Sequence, residues 1–159
     1  MMKLKFLWLV VCALALPGFC ARADVLKVGD QIPAISAKDQ HDVAYVFTNG
    51  TAYLLCAIDM DAAKAANHKL ADQGAGFLEK HGAVYLMDVH TMPAIGKFFA
   101  IPKMQKYPER IVLIDTAGAL DWLPAKTGSL TVLKLTPDAR IKKISYWQPA
   151  SESVTNLFE

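Results

Sequence analysis

The chain has 159 residues, of which 53% are hydrophobic and 20% charged, and its formal net charge is +2. Its 17 basic and 15 acidic residues are interspersed, so the sequence indicates neither a basic stripe for nucleic acid nor a basic amphipathic helix for a membrane surface. This length predicts one domain that buries a core without needing disulfides or metal ions.

The first 23 residues have the pattern of a secretory signal peptide. A short cationic start precedes an apolar run from Phe6 to Leu16, and Ala21-Arg22-Ala23 is an A-x-A cleavage motif. The run is shorter than the roughly 20 apolar residues of a membrane-spanning helix. We therefore expect cleavage before Asp24, export to the periplasm of a Gram-negative bacterium, and no stable membrane anchor after cleavage.

Cleavage would leave Asp24–Glu159 as a single domain. Lys3, Lys5 and Arg22 would be lost with the signal, so 14 basic residues would face 15 acidic ones. Two of the three cysteines would also be lost, and Cys56 would remain. One cysteine can form neither an internal disulfide nor the CxxC pair on which dithiol oxidoreductases depend.

Apolar runs of strand length alternate with helical patterns along the rest of the chain. Strands are predicted over residues 43–47, 52–58, 83–88 and 111–115, with a tight turn at residues 48–51. A first helix is predicted to open at residues 59–61, with Asp61 or Asp59 as its N-cap and apolar positions as far as Phe77. Gly74 and Gly76 weaken its second half, and Gly82 can end it. A second begins at Pro93 and is ended or bent by Pro102. Its predicted apolar face consists of Ile95, Phe98, Phe99 and Ile101.

The last part of the chain predicts an antiparallel hairpin and a closing helix. A short inserted piece at Leu120–Leu123 precedes hairpin strands over residues 130–135 and 140–146, and Ser151 or Ser153 caps the closing helix. Helices between apolar strands imply parallel pairing by right-handed crossovers. The sequence thus predicts an α/β fold of three layers, with a central mixed sheet, an N-terminal β-extension and an inserted hairpin segment.

The segment from Leu26 to Pro33, LKVGDQIP, resembles the entry segment of peroxiredoxins and periplasmic thioredoxin-like proteins. The resemblance continues through residues 52–67, 107–115 and the turn at Pro137-Asp138. Along most of Asp24–Glu159 the sequence is similar to the YtfJ-like family of Gram-negative periplasmic proteins, whose biochemical role is not established. The resemblance implies a thioredoxin-like fold.

The same resemblance implies where a thiol site would lie. In thiol-dependent relatives a cysteine opens the helix after the central strand, where the helix N-terminus stabilises thiolate. Residues 60–64 hold no cysteine at that place. The cis-proline of those relatives falls by register at Thr131 or its neighbour, and no proline lies between Thr127 and Thr136. We therefore expect no catalytic residues of that type and a non-catalytic binding or accessory module.

The carboxyl ends of the parallel strands are the expected place for a binding site. The candidate residues there and on the following helix are Asp59, Asp61, Lys64, Asn67, Asp88, His90 and Thr131. Carboxylates with a histidine could hold a metal ion in a metal-dependent enzyme, but helix capping and strand ends explain the same residues, and neither metal nor cofactor is expected.

A redox role for Cys56 is the other alternative to a non-catalytic binding module. In the middle of an apolar strand it is most simply a buried hydrophobic residue, whereas a reactive thiol would make it a redox sensor or a partner in a mixed disulfide. The partner is expected to be a periplasmic protein and not a nucleic acid.

Overall fold

The computed structural model describes residues 24–47 and 50–158. The predicted signal peptide lies outside the described residues, as do Thr48 and Asn49 of the predicted turn. The strands are β1 (Ser36–Asp39), β2 (Ala44–Val46), β3 (Tyr53–Ala57), β4 (Ala83–Asp88), β5 (Ile111–Ile114), β6 (Leu130–Leu135) and β7 (Ile141–Trp147). The helices are α1 (Met60–Ala71), α2 (Phe77–Lys80), α3 (Ala94–Met104) and a terminal 3-10 helix (Val154–Phe158).

The strands form one mixed sheet in the order β2-β1-β5-β4-β3-β6-β7. β3, β4 and β5 are parallel, and the remaining pairs are antiparallel. The parallel strands are continuous apolar runs because both of their faces are covered. The predicted α/β class, the mixed sheet and the N-terminal β-extension are confirmed.

The two faces of the sheet are covered differently. On one face, α1, α2 and the terminal 3-10 helix pack over a core that includes Leu55, Tyr85 and Trp147. On the other face, the core around Leu54 and Cys56 is covered by the irregular segments 26–35 and 120–123. The carboxyl ends of β3 and β4, where the candidate residues were expected, lie between these two covers.

The structure differs from the predicted elements in three places. The helix predicted to Phe77 ends at Ala71, because Gly74 and Gly76 adopt φ values of +79° and +80° that an α-helix does not allow. The closing helix lies where it was predicted and begins after Ser153, whose hydroxyl accepts from the backbone N–H of Thr155, but it is a 3-10 helix. β1 was not predicted, because its sequence SAKD lies at a polar, largely exposed position and shows no apolar alternation.

The predicted apolar face of α3 is largely exposed. This helix continues past Pro102 to Met104, and only Met104 is buried. Ile95, Phe98 and Phe99 are 65%, 70% and 60% exposed and do not pack in the core. Within residues 24–47 and 50–158, no helix is both long enough and apolar enough to cross a membrane.

Candidate functional site

The junction between β3 and α1 is organised by Asp59. Its Oδ1 accepts hydrogen bonds from the backbone N–H groups of Asp61 and Ala62, both at 3.0 Å, so Asp59 is the N-cap of α1. Of the two candidate caps, Asp59 and Asp61, the structure therefore selects Asp59. Oδ2 of Asp59 accepts a third bond, at 3.2 Å, from the backbone of Gly128. These bonds from Ala62, Gly128 and Asp61 hold the pKa of the Asp59 carboxyl below its ordinary value.

The other polar candidates at this edge make separate local contacts. Asp61 is exposed and lies 3.5 Å from Lys64 in an (i, i+3) ion pair on the surface of α1. Asp88 accepts a hydrogen bond at 2.9 Å from the backbone N–H of His90, which closes a turn after β4. Within the described part of the chain no three His, Cys, Asp or Glu side chains form a group that could hold a metal ion. The candidate carboxylates and His90 are therefore not gathered into one group.

Asn67 does not belong to the edge at all. It is 4% exposed on the inner side of α1, and its Oδ1 accepts a hydrogen bond from the hydroxyl of Tyr85 at 2.9 Å. Tyr85 is fully buried on β4, and burial raises the pKa of its hydroxyl. This pair fastens the helix to the sheet, and neither side chain reaches a surface.

Thr131 does lie beside Asp59. The two residues line a small pocket of about 250 Å³ together with Ile58, Ala125, Lys126, Thr127 and Ser129. The Thr131 hydroxyl donates to the carbonyl oxygen of Pro124 at 2.5 Å, and no cis peptide bond occurs among the described residues. Ser129 is 4% exposed, and its hydroxyl has no hydrogen-bond partner in the described structure. Sequence analysis missed Lys126 and Ser129, because they lie in an irregular segment that shows no periodicity.

Cys56 is fully buried and has no access to this pocket. In register it lies between Leu86 of β4 and Thr131 of β6, and its side chain belongs to the core on the face opposite α1. Burial raises the pKa of the Cys56 thiol, so the reactive thiolate is disfavoured. The only cysteine among the described residues is thus a packed core residue without a disulfide.

Comparison of the structure with solved proteins identifies the fold. The thioredoxin domain of a thiol-disulfide oxidoreductase from Bacteroides vulgatus superposes with a TM-score of 0.56 at 15% identity, covering 84% of this chain and 99% of its own. A peroxiredoxin-like protein from Aquifex aeolicus gives a TM-score of 0.54 at 12% identity, with 80% of each chain covered. The chain has a thioredoxin-like fold. No protein-family model and no curated protein matches the sequence.

A third solved structure also superposes on this chain. The Chlorobium tepidum protein proposed to be the thiol:disulfide interchange protein DsbE gives a TM-score of 0.57 at 11% identity, covering 82% of this chain and 94% of that one. At these identities the likeness concerns the fold. Within the thioredoxin-like fold, the β3–α1 junction of this chain holds a capping carboxylate that is fully engaged by backbone N–H groups.

Replacing Asp59 by alanine is expected to lower the free energy of unfolding by about 1 to 2 kcal/mol, because α1 loses its cap and the Gly128 segment loses its anchor. Because the folded pKa is lowered, the charged carboxylate stabilises the fold above the unfolded pKa near 3.9, and this contribution is lost as the pH falls. Urea denaturation at neutral and acidic pH measures both effects.

The matched control for this change is Asp61→Ala, which removes an exposed carboxylate two positions away and is expected to stay within about 0.5 kcal/mol. Equal losses for the two variants would contradict the assignment of Asp59 as the cap.

Proposed function

We propose that residues 24–159 are the exported form of the protein and act as a non-catalytic binding or accessory module. The observation that carries this proposal is the β3–α1 junction, where the carboxylate of Asp59 accepts three backbone hydrogen bonds at the helix N-terminus. That helix N-terminus is the place where a thioredoxin-like fold would stabilise a reactive thiolate. A carboxylate engaged in this way offers neither a nucleophile nor a free acid.

The location in the periplasm and membership of the YtfJ-like family are part of the same proposal. The charged start, apolar run and A-x-A motif of residues 1–23 support export. The entry segment 26–33 and the turn at Pro137-Asp138 support the family.

A redox role for Cys56 is the alternative, and its burial argues against it. Thiol–disulfide exchange needs an accessible thiolate, whereas this side chain is 0% exposed and its pKa is raised by burial. A mixed disulfide would require β3 to open locally. The small pocket beside Asp59 does not reach the sulfur, since the lining residues do not include Cys56.

Native alkylation followed by intact-mass measurement tests the proposal. We expect the protein from a periplasmic extract to have the mass of Asp24–Glu159, with no label after iodoacetamide treatment without denaturant. The same protein in concentrated urea should gain one label on Cys56, which shows that the reagent was active. A label gained under native conditions, or a mass that includes a disulfide-linked adduct, would favour the redox role.

A turnover assay gives an independent check of the missing exchange chemistry. The purified protein is expected not to accelerate the reduction of insulin by dithiothreitol, and Cys56→Ala is expected to behave in the same way. Turnover by the wild-type protein that the Cys56→Ala variant loses would overturn the proposal.

A further inference from the structure

A cavity of about 740 Å³ lies where β1 and β5 cease to pair. The two strands are paired only at Lys38 with Leu113 and at Asp39 with Val112, and the cavity occupies the space between residues 34–37 and residues 114–116. We call it the β1–β5 cavity. It lies at the carboxyl end of the parallel strand β5, the edge at which open α/β sheets usually bind ligands. Its volume is within the range of roughly 300 to 1,000 Å³ that is typical of sites for small organic ligands.

Most of the buried lining of the β1–β5 cavity is apolar. The buried apolar residues of the lining are Ile35, Val89, Ile114 and Leu120. Ile101 of α3 lines the cavity as well and is half-buried. These side chains come from four separate parts of the chain, so they surround the space instead of forming one flat surface. An apolar ligand body that displaces water from them is bound favourably.

The charged residues of the lining are mainly acidic. They are Asp39, Asp42 and Asp115, with Lys38 as the one basic residue of the lining. Asp39 and Asp115 form ion pairs, but their basic partners do not line the cavity. A ligand in the cavity therefore faces three carboxylates and one ammonium group. A cleft whose walls carry mainly one sign of charge concentrates ions of the opposite sign.

Two of these carboxylates have an oxygen that is free for a ligand. Oδ1 of Asp42 pairs with Lys38, and Oδ1 of Asp115 pairs with Lys97. No other described residue donates a hydrogen bond to Oδ2 of either side chain, and the two side chains are 80% and 55% exposed. Asp39 differs, because both of its oxygens already accept hydrogen bonds, so it contributes charge alone. A cationic N–H group can thus donate to Asp42 or Asp115.

We propose that the β1–β5 cavity binds a small organic cation, an amine with an apolar body. The body lies against the apolar lining between β1, β5 and α3, and the ammonium group donates to Asp42 or Asp115. The inference rests on the proposed binding role and names the class of ligand. An anionic ligand would be repelled by the three carboxylates, and a neutral ligand would gain from the apolar lining alone.

Three ligands with the same apolar body test the proposal on the exported protein, residues 24–159. Phenylbutylamine is cationic at neutral pH, phenylbutanol is neutral and phenylbutyrate is anionic. Backbone amide chemical shifts in NMR titrations to about 10 mM ligand measure each Kd. We expect saturable shifts at residues 34–37 and 113–116 with the amine, binding of the alcohol that is about three to ten times weaker, and no binding of the acid. Methylamine, which lacks the apolar body, should bind about ten times more weakly than phenylbutylamine or not at all.

Two results of these titrations would overturn the proposal. The first is the absence of saturable shifts at the cavity with phenylbutylamine. The second is an equal affinity for the amine and the alcohol, because the carboxylates would then contribute nothing to the choice of ligand.

Variants separate the electrostatic and the apolar contributions. Asp42→Asn with Asp115→Asn is expected to weaken amine binding about three- to tenfold and to leave alcohol binding unchanged. Its matched control is Asp61→Asn, which removes an exposed, ion-paired carboxylate outside the cavity. Ala119→Trp at an exposed position of the lining should fill the cavity and weaken binding of both ligands about tenfold or more, whereas Ala75→Trp, exposed elsewhere, should not. Unchanged thermal melting should show that the variants are folded. Full amine binding by the double asparagine variant would overturn the assignment of the carboxylates.

Failure of this inference is distinguishable from failure of the proposed function. Native alkylation and the insulin assay report on Cys56, which does not line the β1–β5 cavity. A protein that binds none of the amines while Cys56 stays unlabelled would overturn the class of ligand and leave the lack of thiol chemistry standing. A labelled Cys56 in a protein that binds the amine would do the reverse.

Discussion

Replacing Gln40 by leucine is expected to lower the free energy of unfolding by roughly 2 to 5 kcal/mol, although the two side chains are similar in size. Gln40 is 2% exposed, and its amide bridges two backbone groups of the neighbouring strand. Nε2 donates to the carbonyl oxygen of Glu109 at 2.8 Å, and Oε1 accepts from the N–H of Ile111 at 2.8 Å. Leucine would leave both backbone groups buried without partners, and each such group costs about 1 to 3 kcal/mol.

Urea denaturation measures this loss, and Gln105→Leu is the matched control. Gln105 is exposed and donates one hydrogen bond, at 2.9 Å, to the backbone oxygen of Gln40. Its replacement is expected to cost about 1 kcal/mol or less, because water can take over that bond. A Gln40→Leu variant as stable as the control would mean that the start of β5 finds other partners when the amide is removed.

Replacing Glu109 by glutamine is expected to stabilise the protein at neutral pH by about 1 to 3 kcal/mol. Glu109 is 3% exposed, and neither carboxyl oxygen accepts a hydrogen bond from another described residue. Burial raises the pKa of this carboxyl, the charge of Glu79 raises it further, and its own backbone N–H offsets only part of the increase. Glutamine keeps the shape and removes the charge that burial disfavours.

The pH dependence distinguishes this cause from a packing effect. Between the unfolded pKa near 4.3 and the raised folded pKa, the folded state binds more protons than the unfolded state. The free energy of unfolding of the wild type therefore falls as the pH rises through that window, and Glu109→Gln should not show this fall. Thermal melting from acidic to neutral pH measures the difference, which should grow with pH.

The control for this series is Glu79→Gln, an exposed neighbour whose removal should change the melting temperature much less. A gap between Glu109→Gln and wild type that stays constant with pH would show that Glu109 is not an isolated buried acid.

The sequence predicts the sheet well because its strands follow the strongest local signal. The runs at residues 83–88 and 130–135 are strands with the predicted bounds, and those near 53–57 and 111–114 differ by one or two residues. Hydrophobic runs of strand length bury both faces, so periodicity alone locates them. β1 was missed because its four residues are mostly polar and exposed, and only its pairing with β5 makes it a strand.

The site was predicted less well because capping and exposure depend on tertiary contacts. Asp59 and Asp61 both suit a helix start, and the backbone N–H groups that each carboxylate accepts from distinguish them. Asn67 was a candidate because it lies within the first two turns of the helix, yet helix phase turns it toward Tyr85. Periodicity indicates that Ile95, Phe98 and Phe99 share a side of a helix, but not which side meets the sheet, and this side is exposed.

The cover over the second face of the sheet bears on the order in which this chain can fold. Gly29 and Ile32 donate backbone hydrogen bonds to Ile141 and Ala139, and Arg140 reaches the carbonyl oxygen of Gly29 across 111 positions of sequence. Contacts between such distant residues form late, since the intervening chain must be ordered first. The segment at residues 26–35 can therefore cover the core around Leu54 and Cys56 only after β7, almost the last strand, has formed. A chain emerging from a ribosome or a translocation channel would keep Leu54 and Cys56 accessible until β7 arrives.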